Sequence, residues 1–140
     1  MSLENLSKLT VGDILIRKVL TVTDNETVMD AAKKMAALNV GAIVIVNKDK
    51  QVVGIFSERD NLNKVTSCGK NPSETKITEV LTPKIVTFKS DATVFEALRI
   101  MHEMNFRHAP VVENKALIGI ISIKDINKAI YNSLSKILFE

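Results

Sequence analysis

Apolar positions along this chain switch between two periods, and the same switch happens twice. A short apolar turn at Val11–Leu15 comes first, followed by a strand at Val19–Val22. From Thr27 to Leu38 the residues Val28, Ala31, Ala32, Met35 and Leu38 recur at helical spacing. Ala42–Val46 is a continuous apolar run of strand length, Lys48-Asp49-Lys50 a charged turn, and Val52–Phe56 the partner strand. Ser57 then opens a second helix. Further along, Val94, Ala97, Leu98, Met101 and Met104 mark a helix, and Ala109–Val112 and Ala116–Ile121 a strand pair. Ile126, Ala129, Ile130, Leu134, Ile137 and Leu138 place an amphipathic helix at the end. Met35, Met101 and Met104 read as core residues by this spacing. The pattern predicts β-α-β-β-α, twice: an α/β fold of the mixed α+β kind, its two pseudo-symmetric repeats packed as one compact module.

The two halves also share residues. Thr27 matches Thr93, an offset of 93 − 27 = 66, and Leu15/Leu81, Lys18/Lys84, Val28/Val94, Ala31/Ala97, Met35/Met101, Asn39/Asn105 and Val46/Val112 are identical at that offset. The closing phrases Gly54-Ile55-Phe56-Ser57-Glu58-Arg59-Asp60 and Gly119-Ile120-Ile121-Ser122-Ile123-Lys124-Asp125 pair at 119 − 54 = 65, so the second copy lost one residue in the turn after its middle strand. The expected organisation is repeat one over residues 8–65, a polar linker over 66–76 holding Gly69 and Pro72, repeat two over 77–132, and a helix end over 133–140.

Composition narrows the class of function. At 46% hydrophobic and 25% charged, the 140 residues match a folded domain with a core of its own. The longest apolar runs, Val40–Val46 and Ala116–Ile123, are far short of the roughly 20 residues that span a bilayer, and no signal-peptide core precedes them. The reading is therefore a cytoplasmic protein without a membrane partner. Cys68 is the single cysteine, which excludes an internal disulfide and any multi-cysteine metal site. The net charge of +3 is spread along the chain, and one tyrosine with no tryptophan gives little support to a nucleic-acid surface. His102 has no cysteine, histidine or aspartate at metal spacing, and Gly69-Lys70 lacks the rest of a P-loop.

In order, Asp13-Ile14-Leu15, Thr27-Val28-x-Asp30-Ala31, Gly41-Ala42-Ile43-Val44-Ile45-Val46 and Gly54-Ile55-x-Ser57-x-x-Asp60 resemble a cystathionine-β-synthase (CBS) domain. Thr93-Val94-x-Glu96-Ala97, Arg107-His108-Ala109-Pro110-Val111-Val112 and Gly119-Ile120-x-Ser122-x-x-Asp125 resemble a second one, and the likeness covers about residues 11–130. It implies a tandem CBS pair, or Bateman module, standing alone. Such modules are usually regulatory, bind adenine nucleotides (AMP, ADP or ATP) in clefts between the copies, and commonly form homodimers. In the family, the cleft using one copy's serine and aspartate takes its base-binding strand and basic pair from the other. One cleft would then comprise Ile55, Ser57 and Asp60 with Ile85, Val86, Thr87, Arg107, His108, Pro110 and Lys124. The other would comprise Ile120, Ser122 and Asp125 with Val19, Leu20, Thr21, Gly41, Ala42 and Arg59. The resemblance gives the aspartates to ribose hydroxyls, and the first set, with three cationic candidates, is expected to be the stronger nucleotide site.

Local physics offers a second reading of the same residues. A helix start presents unpaired N–H groups that suit phosphate. Ser-x-x-Asp is also the spacing of a capping box, in which the pair serves only the helix, and Thr27-x-x-Asp30 and Thr93-x-x-Glu96 read as such caps. Two functions follow: a module sensing an adenine nucleotide for an unknown protein partner, or a structural dimerisation module with unused clefts. S-adenosylmethionine or another adenosyl compound is the alternative ligand. With no paired nucleophile and base, no metal set and no catalytic cofactor, an enzyme is not expected.

Overall fold

The structure, a computed structural model, describes residues 2–17, 19–83 and 86–140. Ile85 of the sequence-derived site and the repeat pair Lys18/Lys84 lie outside the described residues. The fold is mixed α/β and divides into two compact units, residues 19–85 and residues 1–18 with 86–140.

In the continuous unit, β1 (Thr21–Thr23), α3 (Val28–Leu38), β2 (Ala42–Val46) and β3 (Val52–Ser57) follow one another. A short helix α4 (Glu58–Asp60) runs into a π-helical turn at Asn61–Thr66; a 3-10 turn (Ile77–Glu79) and β4 (Thr82–Pro83) close the unit. The sheet order is β1-β2-β3-β4, with β1 parallel to β2 and the other pairs antiparallel. All five residues of β2 are buried, as a central strand requires. Thr27 caps α3 in both directions: its hydroxyl accepts from Asp30 N–H at 3.2 Å, and Asp30 Oδ2 accepts from Thr27 N–H at 2.9 Å. The helix ends at Asn39, whose left-handed φ of 53° a short amide side chain tolerates. Val22, Val28, Ala31, Met35, Ile43, Ile45, Phe56 and Ile77 fill the core.

The other unit begins with α1 (Leu3–Ser7) and α2 (Val11–Ile14) and resumes with α5 (Val94–Glu103), β5 (His108–Glu113), β6 (Ala116–Ser122) and α6 (Ile123–Phe139). Thr93 caps α5 by accepting from Glu96 N–H at 3.2 Å, and Asn105 (φ 55°) repeats the left-handed exit of Asn39. Its core is Val11, Leu15, Phe88, Val94, Ala97, Met101, Val111, Ile121 and Ile126. The residue lost from the second copy changes the hairpin turn. In the first, Asn47 Oδ1 accepts from Asp49 N–H and Gln51 N–H around a longer loop. In the second, Asn114 and Lys115 both take positive φ, the two-residue turn that suits twisted strands.

Compact units and sequence repeats divide the chain differently. The residues that open repeat two build β4 on β3, Gly54 opposite Pro83 and Ile55 opposite Thr82. The residues that open repeat one lie with the second hairpin, where Ile16 bridges Ile120. Each repeat's opening segment therefore packs on the other repeat's strands. The repeat glycines serve that packing. A Cβ on Gly54 would lie 2.5 Å from Thr82 O, and one on Gly119 would overlap the Leu15 side chain and lie 2.9 Å from Ile16 O.

Three expectations need correction. Met104 is not core: α5 stops at Glu103, and Met104 as its C-cap is about half exposed. Leu38, on the last turn of α3, is likewise exposed. The first strand is β1 at Thr21–Thr23 rather than Val19–Val22, because its pairing with Val44–Val46 starts only at Thr21.

Candidate functional site

The two closing phrases fold alike. Each leaves its strand at serine with extended backbone and enters a helix whose N3 residue is the aspartate. Ser57 Oγ accepts from Asp60 N–H at 3.2 Å, and Ser122 Oγ accepts from Asp125 N–H at 3.0 Å. The carboxylates return the bond: Asp60 Oδ2 accepts from Ser57 N–H at 3.0 Å, and Asp125 Oδ2 from Ser122 N–H at 3.1 Å. Both phrases are capping boxes.

Beyond the cap they differ. Asp60 is buried, and its Oδ2 also accepts from the Ser57 hydroxyl at 3.1 Å. Its Oδ1 accepts from the Thr82 hydroxyl at 3.0 Å and faces the Lys64 ammonium at 3.1 Å. Lys64 Nζ in turn donates to Thr82 Oγ1 at 3.1 Å, closing a triangle. A carboxylate has about four acceptor positions, and those of Asp60 are filled. Asp125 is half-buried, and among the described residues only Ser122 N–H donates to it. The offsets explain the difference: Lys64 corresponds to Ala129 (64 + 65) and Thr82 to Ile16 (82 − 66). Aspartate and lysine four apart on a helix are legible in the sequence, but Thr82, 22 residues away, carries no local signal.

The remaining residues of the two sequence-derived sets gather by unit. In the continuous unit Ala42 stands opposite Ser57, and Glu58 N–H donates to Gly41 O at 2.9 Å, so Gly41, Ala42, Ser57 and Asp60 share one end of the hairpin. Ile55 is mid-strand and half-buried; Arg59 is exposed; Val19 and Leu20 precede β1, which Thr21 opens. In the other unit His108 stands opposite Ser122, and Ile123 N–H donates to Arg107 O at 3.0 Å. Arg107, His108, Ser122, Lys124 and Asp125 thus share the matching end, with Pro110 opposite Ile120 further in. Arg107 and Lys124 are exposed and form no ion pair among the described residues. Val86 and Thr87 are half-buried outside any strand. Each unit holds part of each set.

Among the described residues no group of three or more His, Cys, Asp or Glu could hold a metal, and no helix is long and apolar enough to cross a membrane. Cys68 is exposed.

This geometry occurs on a chain that the CBS-domain family model matches twice, over residues 11–60 and 77–132. An uncharacterised Methanopyrus kandleri protein (MK0525) is 36% identical over 86% of this chain and 62% of its own length. The mitochondrial CBS domain-containing protein CBSX3 of Arabidopsis thaliana is 36% identical over 79% of this chain and 56% of its own length. The chain therefore spans less than two thirds of these relatives. The crystal structure of the CBS-domain protein ATU1752 from Agrobacterium tumefaciens is 35% identical, with a TM-score of 0.80 over 87% of this chain and 93% of that one. Paired CBS domains are commonly regulatory or signal-transduction modules. Two ordered motif sets, two family matches and two copies of one capped helix start agree: the chain belongs to the CBS-domain family, as a tandem pair.

Proposed function

We propose that this chain is a regulatory module that senses an adenine nucleotide and holds its ribose at a Ser-x-x-Asp helix start. The observation that carries the reading is Asp125. Among the described residues its carboxylate is oriented by one bond, from Ser122 N–H, which leaves acceptor positions for vicinal hydroxyls. It sits near the start of the 17-residue α6, where unpaired N–H groups suit an anion, with Lys124 and Arg107 exposed nearby. Ligand energy reaches a partner only through unequal affinity for two states of the module.

A homodimer belongs to the same reading. The continuous unit carries a groove of about 250 Å³ in which Ala32, Met35, Ala36, Val40 and Phe56 lie beside Asn39, Glu58 and Asn61, and Leu38 and Leu62 are exposed in the same unit. A second copy would cover this face.

The test is a thermal-shift and calorimetry panel of AMP, ADP, ATP, adenosine, S-adenosylmethionine and GTP. A ligand at a hundred times its Kd stabilises by about 2.7 kcal/mol, a shift on the order of 10 °C for a domain of this size. Adenine nucleotides shifting the midpoint, GTP leaving it alone and Asp125→Ala removing most of the shift, with weaker binding left at Asp60, are the expected results. No shift with any adenosyl compound overturns the reading; a shift with S-adenosylmethionine alone reassigns the ligand.

A further inference from the structure

The two Ser-x-x-Asp starts are alike in motif and opposite in occupancy. We infer that Lys64, with Thr82, is an internal competitor for the Asp60 carboxylate, so that a vicinal diol binds there only by displacing the ammonium. This inference rests on the reading of these helix starts as ribose sites.

The argument is one of acceptor count. A diol needs two acceptor positions. On Asp60, Oδ2 is committed to the Ser57 N–H and hydroxyl, which hold the helix start. Oδ1 is the only oxygen a diol could take, and the Lys64 ammonium and Thr82 hydroxyl hold it at 3.1 and 3.0 Å. The Lys64 side chain is 41% exposed and that of Asp60 only 10%, so the displaceable group lies on the solvent side of the carboxylate. Among the described residues Asp125 has no such competitor: Ala129 and Ile16 occupy the matching positions. The two sites are therefore unequal for a neutral diol, Asp125 first, although counting cations in the sequence ranks the Asp60 set first. Lys64 is a residue that sets the affinity of its site, and its contribution is negative.

Salt supplies an independent signature. Displacing an ion pair is easier when that pair is screened, so a neutral ligand at Asp60 should bind tighter as salt rises, the reverse of a phosphate held by cations.

Adenosine is the probe, measured by calorimetry on the full chain carrying Asp125→Ala, which leaves Asp60 as the diol acceptor. Adding Lys64→Met should tighten adenosine about fivefold, the scale of a half-exposed ion pair. Without that change, affinity should rise between low and high salt, and with it the salt effect should vanish. Unchanged or weaker binding in Lys64→Met, or binding that weakens with salt in its parent, overturns the inference while adenosine binding by the unsubstituted chain still upholds the ribose reading. Adenosine and AMP binding to none of the chains overturns both.

Discussion

Replacing Gly54 by alanine puts a methyl group where the structure has backbone. The new Cβ would lie 2.5 Å from Thr82 O and 2.7 Å from Leu81 Cδ1. The leucine methyl can rotate away; the carbonyl cannot, because β4 is held in register opposite Gly54 and Ile55. Restoring an ordinary contact means moving β4 by most of an ångström. Overpacking of this kind costs about 1–3 kcal/mol, and a ladder hydrogen bond lost with it about 1 kcal/mol more. Reduced freedom of the unfolded chain returns about 0.4–1 kcal/mol. The net loss is about 2–3 kcal/mol, read by circular dichroism as a urea midpoint lower by about 1–2 M at unchanged slope. Two substitutions calibrate it. Gly119→Ala, pressing mainly on the rotatable Leu15 side chain, should cost less. Gly69→Ala, with φ of 68° and no atom within 4 Å, isolates backbone strain at about 1 kcal/mol. If Gly54→Ala is no more harmful than Gly69→Ala, the close approach of β4 does not explain the repeat glycine.

Other expectations are equally direct. Leu62→Asp, at a residue 60% exposed in the unit that bears the groove, should shift the proposed dimer toward a 15.5 kDa monomer in sedimentation; a dimer that survives removes that residue from the interface. Asn39→Val should destabilise by roughly 1–2 kcal/mol, because a β-branched residue resists left-handed φ, whereas Asn39→Gly should be nearly neutral in the same denaturation assay. Hydrogen bonds from the Ser90 hydroxyl and N–H lower the Glu113 carboxyl from its ordinary value, and those from Thr27 N–H and its hydroxyl lower Asp30. Folded values below unfolded ones mean that both groups stabilise the protein at neutral pH and lose that contribution as pH falls through the carboxylate range. In a carbon-13 NMR titration Ser90→Ala should therefore return Glu113 toward its ordinary value; an unmoved titration breaks the assignment.

Residues acting on near neighbours were legible in the sequence. Thr27 and Thr93 announce their helices by side chains three positions on, and Asn39 and Asn105 mark the same exit because they are the same residue at one offset. Gly54 and Gly119 were legible as matching positions that open the two closing phrases, but what packs on them was not, since Thr82 and Ile16 come from the other repeat. Helical spacing carried the reading of α5 one residue too far: Met104 continues the series 94, 97, 98, 101 but stands past the last helical turn. The short α1 went unread, since five residues with one buried leucine show no period. At the candidate site, motif matching found Ser57, Asp60, Ser122 and Asp125 and assigned the paired aspartates equal chemistry. The occupancy of Asp60 depends on a hydroxyl brought by β4, a contact set by tertiary structure alone.

The exchanged opening segments also set an order of assembly. Residues 19–85 are continuous and leave the ribosome as one stretch, whereas the other unit needs residues 1–18 and 86–140 together. At roughly 5–20 residues per second, the 55 residues from 86 to 140 (140 − 85) take about 3–11 s to make. Through that interval Leu6 and Val11, both buried in the finished fold, have no core to enter. Joining segments separated by 67 residues (86 − 19) costs roughly 4 kcal/mol of chain entropy if the intervening stretch is unfolded, and less once that stretch has folded. Residues 1–18 are thus among the last of these 140 to fold, and until then Leu6 and Val11 stay exposed and open to chaperones.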